Sequence, residues 1–330
     1  MKFIEIDGGK FEQFAFGALG HNFMQSAEFA TVRRERGAEP KFFAVIDNDK
    51  IALAGLCGLY PTSLDCLCGP VADPTQETIS PKTIKIWTDG LTAYARQQGK
   101  IFLTMNPFFA ASATMTWQQQ GWRRLKRGRE GRLHFVFARP LPADTEAWFN
   151  SLHRKVRWEI RNSAKNGLSL RDLSYDELPL MENVLKASAD RKNFNVANLA
   201  YLQSLYRAFE TSADYKVRFV IVESADQQVV AGGVFVFSKL EAVHFFGGNS
   251  ARSLELGGMY FLLDAMIRSS IEQGIPRFNF FGISGPDDSG LTFKRKWGGQ
   301  VEEYFGVWAI PVDKFKFIAW KFKQLLSKSR

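Results

Sequence analysis

Residues 219–237 read FVIVESADQQVVAGGVFVF, two apolar runs on either side of a polar turn at 224–228. Apolar runs of this length that flank a turn are typical of a β-hairpin. Residues 42–59, FFAVIDNDKIALAGLCGL, repeat the pattern around a turn at 47–50. The sequence therefore predicts one hairpin in each half of the chain.

A stretch with helical periodicity follows each hairpin. The two stretches are KTIKIWTDGLTAYARQQGK and LELGGMYFLLDAMIRSSIEQG. Each closes at a glycine, Gly99 or Gly274, which suits a left-handed helix cap. An apolar strand comes next in both cases, IFLTM at 101–105 and RFNFF at 277–281.

The two copies have nearly the same length. The capping glycine lies 56 residues after Phe43 in the first copy and 55 residues after Phe219 in the second. Near-equal spacing predicts a duplicated α/β unit, with chance similarity between α/β domains as the alternative.

Hairpin, strand, helix, strand is the order found in N-acyltransferases of the acetyltransferase-like class. We therefore predict an α/β fold with α+β mixed sheets, arranged as two tandem GNAT-like domains. A cleft between the domains is where a ligand site would form. The stretch Pro140-Leu141-Pro142 is typical of a linker, so we place the first domain at 1–143 and the second at 144–311.

The chain carries 43 basic and 34 acidic residues, a formal net charge of +9. Such an excess favours polyanionic partners, namely nucleic acid, a nucleotide or an anionic membrane surface. One basic run is RRLKRGREGR at 123–132. A second lies on a helix whose apolar stripe is formed by Leu152, Val156, Ile160 and Ala164. The basic residues of that helix are Arg154, Lys155, Arg157, Arg161 and Lys165.

Other features limit the possible location and chemistry. No apolar run reaches the roughly 18 residues of a membrane-spanning helix, and MKFIEIDGGK lacks the apolar segment of a signal peptide, so we expect a cytoplasmic protein. Cys57, Cys66 and Cys68 are too few for a disulfide framework. The Cys66-x-Cys68 pair has no further ligand near it at zinc spacing, so we interpret the cysteines as core residues and predict no metal.

An acyl-CoA enzyme should carry a phosphate-binding turn of the form Q/R-x-x-G-x-G/A at the start of its central helix. The second copy has Glu255 where the turn requires its first glycine, and the first copy, ETISPKTIKI, has no glycine at all. We therefore predict a different donor and no cofactor.

The sequence also lacks a nucleophile elbow, a P-loop and a zinc-protease motif, and its four histidines, His21, His134, His153 and His244, are isolated. We interpret these histidines as surface or packed residues rather than catalysts. Transfer from an activated ester to an amine needs no enzyme nucleophile, because the protein can act by orienting the substrates and stabilising the oxyanion.

Four segments together resemble one family. FNFFGISG followed by GLTFKRKWGGQVEEYFGVWAIP resembles the C-terminal signature of the FemABX family of non-ribosomal peptidyltransferases. HRKVRWEIRNSAKNGLSLR is similar to the family's basic helix before its second domain. FMQSAEFATVRRERG resembles its N-terminal helix, and CGPVADP resembles its G-P-x-x-D turn.

The resemblance implies an aminoacyltransferase that moves an amino acid from aminoacyl-tRNA to the side-chain amine of a peptidoglycan stem peptide. The acceptor would be a UDP-linked or lipid-linked muropeptide. A C-terminal helix at 312–330 would complete the first domain, and the chain is similar to compact members that lack a coiled-coil arm. We predict a monomer, with peripheral contact to the inner membrane face as a further possibility.

The resemblance also assigns roles to residues. Lys294 would stabilise the oxyanion near the tRNA acceptor end, and Phe293 would pack on the terminal adenosine; the alternative for Lys294 is a solvated lysine in a KRK run. Arg33 would contact the diphosphate of the precursor, with a plain surface charge as the alternative. We assign tRNA binding to four residues of the basic helix and its end: Lys155, Arg157, Arg161 and Lys165.

Two positions depart from the family's pattern. Asn106 stands where the family often has an aspartate before the proline, and a carboxamide does not accept the amine's proton at neutral pH. Ala197 stands four residues before Tyr201, where close relatives have a phosphate-binding arginine. Arg191 and Lys192 are candidates to replace it. We therefore assign substrate binding to Asn106, Tyr201 and Arg191 together with Arg33.

Two alternatives remain open at this point. The first is an N-acyltransferase that uses acyl-CoA or an acyl carrier protein on the same fold, against which the degenerate phosphate turn argues. The second is a non-catalytic protein that binds RNA or a membrane surface. The C-terminal segment KFKFIAWKFKQLLSKSR supports it, because Phe317, Trp320 and Leu325 would form an apolar face flanked by lysines.

Overall fold

The computed structural model describes residues 1–76, 78–110, 114–125, 135–192, 196–283 and 289–320. The chain divides into two compact units. Unit 1 consists of Met1–His134 with Glu303–Arg330, and unit 2 consists of Phe135–Glu302.

Unit 1 contains helices and strands in the following order: β1 (Lys2–Glu5), α1 (Gly8–Ala15), α2 (Ala27–Glu35), β2 (Glu39–Asp47), β3 (Lys50–Leu59), β4 (Ser63–Cys66), β5 (Val71–Ala72), α3 (Pro81–Gln97), β6 (Phe102–Met105), α4 (Thr114–Gln119), β7 (Arg123–Arg124) and β15 (Trp308–Pro311).

The sheet of unit 1 has the strand order β1-β2-β3-β4-β6-β15-β7, and β5 pairs with β3. The predicted first hairpin is the antiparallel pair β2/β3, and its turn residues Asn48 and Asp49 have φ values of 46° and 63°. Two positive φ values in a two-residue turn match the right-handed twist of the strands. β4 runs parallel to β6, and the intervening helix α3 buries Trp87 completely.

Unit 2 contains the following elements: β8 (Phe135–Pro140), α5 (Thr145–Ser151), α6 (Arg154–Ser163), β9 (Ser169–Asp172), α7 (Leu178–Lys192), α8 (Leu199–Phe209), β10 (Lys216–Glu223), β11 (Val229–Phe237), β12 (Ala242–Asn249), α9 (Ala251–Leu256), α10 (Gly258–Glu272), β13 (Arg277–Ile283), α11 (Ser289–Arg295) and β14 (Gln300–Glu303).

The sheet of unit 2 has the order β14-β8-β13-β12-β11-β10-β9. The second predicted hairpin is the antiparallel pair β10/β11, and β12 runs parallel to β13. Both units therefore have a hairpin, a third strand, a helical crossover and a strand parallel to the third. The predicted duplication is confirmed at the level of the element order.

The helix ends follow the glycines, with one difference. Gly99 and Gly274 have φ values of 67° and 70°, the left-handed conformation predicted for both. The single helix predicted in the second copy is instead two helices, α9 and α10, separated at Gly257 with φ of 75°. A glycine inside a helical pattern can mark a cap as well as an interruption, because it adopts positive φ without steric cost.

The boundary between the predicted domains needs a correction. The predicted first domain, 1–143, includes β8, but this strand pairs with β13 in the sheet of unit 2, from Arg277↔Pro140 to Ile283↔Phe135. The predicted second domain, 144–311, includes β15, but this strand pairs with β6 in unit 1. Strand pairing connects residues that are far apart in sequence, so the local pattern around Pro140 did not reveal which sheet the strand joins.

The segment predicted as one basic helix is also divided. Asp144 caps α5 by accepting a hydrogen bond from the Ala147 N–H at 2.7 Å. The side chain of His153 accepts from the Lys155 N–H and starts the separate helix α6.

Part of the predicted C-terminal helix is described. Residues 314–320 are helical, and in unit 1 the rings of Phe317 and Trp320 lie 5.4 and 4.7 Å from the ring of Phe102. Leu325 lies outside the described residues. Within the described part of the chain, no helix combines the length and the apolar character that crossing a membrane requires.

Candidate functional site

In unit 2 the parallel strands β12 and β13 pair over a short distance only. Their register is Ala242↔Phe278 and Val243↔Asn279, and beyond these residues β12 pairs with β11 while β13 pairs with β8. Parallel strands that stop pairing leave backbone groups without a ladder partner, and those groups need other partners. The two strands separate beyond this pairing, and we call the region where they do so the "strand divergence".

A bulge in β13 shapes one side of the strand divergence. The register of β13 with β8 shifts between Asn279 and Gly282, and Phe281 has φ of 60°. The Asn279 side-chain oxygen accepts a hydrogen bond from the Phe281 N–H at 2.8 Å, which stabilises this conformation. A bulge turns the carbonyl groups of a strand away from the regular ladder.

Lys294 lies at this bulge. Its Nζ donates hydrogen bonds to the Phe280 carbonyl at 2.7 Å and to the Gly282 carbonyl at 3.4 Å. The side chain is half-buried and projects from α11. The structure therefore fixes an ammonium group at the end of β13, which is a different environment from that of a freely solvated lysine.

Phe293, the neighbour of Lys294, packs on a different set of residues. Its ring centroid lies 5.3 Å from that of Tyr260 and 6.1 Å from that of Trp297. Phe293 is partly buried against the core of unit 2. If Phe293 packs on an adenosine, as predicted, it does so with the part of its ring that remains exposed.

His244 follows Val243, the last residue of β12 that pairs with β13, and itself pairs with Phe235 of β11. Its ring stacks on Phe235 with centroids 4.9 Å apart, and its Nε2 atom is buried without a hydrogen-bond partner. Burial, and secondly the charge of Lys294, lower the pKa of His244 to about 3. The imidazole is therefore neutral at physiological pH. Its position at the strand divergence depends on long-range strand pairing, so no sequence motif identifies this histidine as part of the site.

An aromatic cluster continues along β12. The ring of Tyr201 on α8 lies 5.9 Å from that of Phe246 and 6.5 Å from that of Phe245, which in turn lies 5.3 Å from the ring of Phe281. All four side chains are partly buried. The predicted substrate-binding residue Tyr201 is thus connected through Phe245 to the bulge that holds Lys294.

Arg191 lies at the other end of β12. Its guanidinium donates to the Asn249 carbonyl at 2.6 Å and also to the Asn249 side-chain oxygen. Arg191 is exposed, so a ligand could reach it. Two of the predicted substrate-binding residues, Tyr201 and Arg191, therefore contact the same strand. That they bind substrate remains a prediction.

The other two predicted substrate-binding residues lie in unit 1 and have structural partners. Arg33 is 2 % exposed, forms an ion pair with Asp65 and donates to the Leu56 carbonyl at 3.1 Å. It is a buried residue and not the surface charge that was the alternative. Asn106 is 5 % exposed, and its side-chain oxygen accepts from the Cys68 N–H at 2.7 Å. Their predicted contacts with substrate remain untested predictions.

The basic helix α6 presents its charges to solvent. Leu152, Val156 and Ile160 are buried, as the stripe predicted, but Ala164 is exposed because α6 ends at Ser163. Lys155, Arg161 and Lys165 are exposed, and Arg157 is half-buried. The Arg161 guanidinium lies over the ring of Phe149, 5.1 Å from its centroid. The run at 123–132 lies mostly outside the described residues.

The described residues offer no site for a metal ion, since no three His, Cys, Asp or Glu side chains among them are suitably grouped. Cys57, Cys66 and Cys68 are buried, and burial raises the pKa of the Cys66 and Cys68 thiols. These cysteines are core residues, in agreement with the sequence-based interpretation.

Unit 2 also has a pocket of about 710 Å³ that does not include any predicted site residue. It is lined by Asp172, Leu173, Tyr206, Phe209, Glu210, Ser212, Tyr215, Lys216, Val217, Arg218, Phe219, Phe237, Ser269 and Gln273. The predicted residues of unit 2 lie on α11, on the basic helix α6 and its C-terminal turn, or against β12, and none of them lines this pocket.

Comparison with known proteins agrees with this picture. The model of the FemAB family matches residues 6–121, 114–223 and 215–328. "Aminoacyltransferase FemA" of Staphylococcus epidermidis is 21% identical over 410 residues, which cover 95% of this chain and 97% of that protein.

The solved structures that resemble the chain share its fold. "Crystal structure of FemX" has a TM-score of 0.81 at 13% identity and covers 97% of this chain and 99% of that chain. A tandem GNAT protein from the clavulanic acid biosynthesis pathway has a TM-score of 0.60 at 10% identity and covers 94% of this chain and 98% of that chain. The predicted fold class, two tandem GNAT-like domains with mixed sheets, is confirmed.

Proposed function

We propose, from the premise that this chain belongs to the FemAB family, that it transfers an amino acid from aminoacyl-tRNA to the side-chain amine of a peptidoglycan stem peptide. Similarity to its relatives identifies the chain as an acyltransferase. The tRNA donor, the muropeptide acceptor and the steps of the mechanism are our proposals.

The observation that carries the proposal is the position of Lys294. Its ammonium is held by the Phe280 and Gly282 carbonyls at the strand divergence, where strands β12 and β13 stop pairing. A cation that is fixed before the substrates bind needs no reorganisation when negative charge develops beside it. The arrangement suits stabilisation of an oxyanion.

The reaction that we propose begins with attack of the acceptor's neutral amine on the carbonyl carbon of the tRNA ester. A C–N bond forms, and the carbonyl oxygen carries a negative charge that Lys294 stabilises. Collapse of this intermediate breaks the bond to the ribose oxygen. The amine loses one proton and the ribose hydroxyl gains one, so the reaction is balanced without an enzyme nucleophile.

His244 and Asn106, two described candidates for accepting the amine's proton, are not strong bases. The pKa of His244 is lowered to about 3, so its imidazole is a weak proton acceptor at neutral pH. The carboxamide of Asn106 accepts no proton, and its oxygen is already hydrogen-bonded to the Cys68 N–H. We therefore assign the proton transfer to the substrates and water, from the amine to the leaving ribose oxygen.

The segment of a possible acyl-CoA cradle supports a different donor. Residues 252–256 lie in helix α9, and Gly258 leaves space for the Ser253 hydroxyl, which would lie 2.6 Å from a Cβ at that position. Backbone N–H groups of an open glycine-rich loop would be needed to bind a pyrophosphate. A tRNA ester does not require such a loop.

We assign tRNA binding to Lys155, Arg157, Arg161 and Lys165, because α6 and its C-terminal turn present these cations on the surface of unit 2. Tyr201 and Arg191 are our candidates for contacts with the muropeptide. A role for Arg33 at the diphosphate would require the ligand to compete with Asp65. We further propose that the protein acts as a monomer in the cytoplasm, with peripheral membrane contact if the acceptor is lipid-linked.

A comparison of donors and acceptors tests the proposal. The protein is incubated with each aminoacyl-tRNA, with acyl-CoA and with an acylated carrier protein, in the presence of UDP-linked or lipid-linked muropeptide. Mass spectrometry should detect an amide product with an aminoacyl-tRNA donor. Product with acyl-CoA and none with any aminoacyl-tRNA would contradict the proposal.

A further inference from the structure

One tryptophan of unit 2 is exposed on the basic helix α6. Trp158 is 60% exposed. Several other tryptophans are almost completely buried, namely Trp87, Trp117, Trp122, Trp148, Trp297 and Trp308. Single apolar side chains are often exposed on protein surfaces, so the charges around Trp158 decide what this ring is suited to bind.

Trp158 contributes little to the packing of the helix. The buried residues Val156 and Ile160 each lie two positions away from it. Side chains two positions apart lie on nearly opposite sides of an α-helix. The tryptophan therefore faces away from the core of unit 2, and its exposure is a consequence of the helical pattern.

The surface around Trp158 is cationic. Arg154, Lys155 and Arg161 lie four and three positions before it and three positions after it, on the same side of the helix, and all three are exposed. Within the described residues, neither Arg154 nor Lys155 forms a salt bridge. The acidic residue of α6, Glu159, is half-buried. These charges are available to bind an anionic partner.

An aromatic ring among cations matches the chemistry of single-stranded nucleic acid. Bases that are not paired stack on exposed aromatic rings, while neighbouring cations bind the phosphates. Membrane insertion would need a larger apolar area, and Leu254 is the other large apolar side chain that is strongly exposed among the described residues of unit 2. The surface favours an RNA strand over a lipid surface.

We propose that Trp158 stacks on an unpaired base of an RNA bound along α6, with Arg154 and Lys155 contacting the adjacent phosphates. The inference rests on the proposed function, in which the amino acid is carried by a tRNA. It extends that function by naming Trp158 as the side chain that contacts an unpaired part of the RNA. Trp158 is a binding residue and takes no part in the chemical step.

Binding of a fluorescently labelled single-stranded RNA oligonucleotide tests the stacking contact. Trp158→Ala should lower the affinity by about 5- to 150-fold, the range for loss of one base stack, and Trp158→Phe should retain most of it. Phe315→Ala is the matched control, since Phe315 is 87% exposed between Lys314 and Lys316. Unchanged affinity in Trp158→Ala, or an equal loss in Phe315→Ala, would overturn the proposal.

The salt dependence of binding separates stacking from charge. Lys155→Ala should reduce the slope of log K against log salt by roughly 0.7, the value for one phosphate contact on a single strand, whereas Trp158→Ala should leave the slope unchanged. Thermal unfolding of each variant checks that it is folded. A slope that falls equally in both variants would contradict a stacking role.

Two further measurements distinguish this inference from its alternatives. If Trp158→Ala weakens binding to vesicles of anionic phospholipid and leaves RNA binding intact, the surface binds membranes and the inference is wrong. If the wild type transfers no amino acid from aminoacyl-tRNA but Trp158→Ala still weakens RNA binding, the proposed function fails while the stacking contact stands. Normal transfer with an unchanged KM for tRNA in Trp158→Ala would overturn the stacking contact alone.

Discussion

Lys294 and His244 show how two residues at one strand divergence acquire different properties. The ammonium of Lys294 has carbonyl partners at the bulge of β13. The imidazole of His244 has a buried Nε2 without a partner, and its pKa is lowered to about 3. The strand divergence therefore holds the Lys294 ammonium in place and keeps the His244 imidazole neutral.

Replacement of Lys294 by methionine should lower kcat by about 100- to 1000-fold, the usual effect of losing one oxyanion donor. The KM for the acceptor should change little, because the interaction forms mainly in the transition state. Steady-state kinetics with aminoacyl-tRNA and muropeptide measures both quantities. Lys296→Met, which removes a nearby charge on the same segment, is the control and should retain activity; an active Lys294→Met variant would refute the role of Lys294.

His244 should make stability depend on pH. Its pKa in the folded protein is about 3, below the value of 6.5 in the unfolded chain, so the unfolded state binds more protons between these values. The free energy of unfolding should therefore fall as the pH drops from 6.5 towards 3, by up to about 1.4 kcal/mol per pH unit.

Urea unfolding at pH 7.5 and pH 5 measures this contribution. His244→Phe, which keeps an aromatic ring for stacking on Phe235, should lose that part of the pH dependence. The same decrease in stability for the variant and the wild type would show that His244 is not the responsible group.

At the scale of elements, the local sequence was sufficient where structure depends on neighbours in the chain. The turn at Asn48 and Asp49 and the caps at Gly99 and Gly274 follow from residue type and spacing. The interruption at Gly257 was missed, because the sequence pattern continues through it. Position 257 needs a glycine because α6 packs closely against it: a Cβ at Gly257 would lie 2.9 Å from the Cβ of Ser163 in α6.

Two glycine substitutions measure that close approach. Gly274→Ala should destabilise the protein by about 1–2 kcal/mol, because its φ of 70° disfavours any side chain while nothing lies within 4 Å of the added Cβ. Gly257→Ala should cost more, because it adds a clash with Ser163 to the same backbone cost. Equal midpoints of urea unfolding for the two variants would show that the contact between Gly257 and α6 is unimportant.

At the scale of the whole molecule, pairing between distant strands could not be predicted. The sequence indicated a linker at Pro140-Leu141-Pro142 and a second domain that ends at residue 311, but not that β8 pairs with β13 and β15 with β6. Burial of Arg33 likewise depends on contacts with Asp65 and Leu56, which are distant from it in the sequence. Contacts of this kind are decided by packing, whereas the motif carrying Phe293 and Lys294 is visible in the chain.

The corrected boundary predicts which fragment folds. A fragment of residues 135–302 contains all strands of the second sheet apart from the last residue of β14, and it should unfold cooperatively. A fragment of residues 144–302 lacks β8, whose residues Val136 and Phe137 are completely buried, and should not. Thermal unfolding followed by circular dichroism compares them, and equal cooperativity would contradict the assignment of β8 to unit 2.

All the roles proposed for the site depend on transfer of an aminoacyl group from tRNA to a muropeptide amine. The most direct measurement uses tRNA charged with an isotopically labelled amino acid and follows the mass of the muropeptide over time. We expect a product heavier by one labelled residue in amide linkage, and no product when the ester is hydrolysed beforehand. Absence of label from the muropeptide with every aminoacyl-tRNA, while acyl-CoA yields an acylated product, would contradict it.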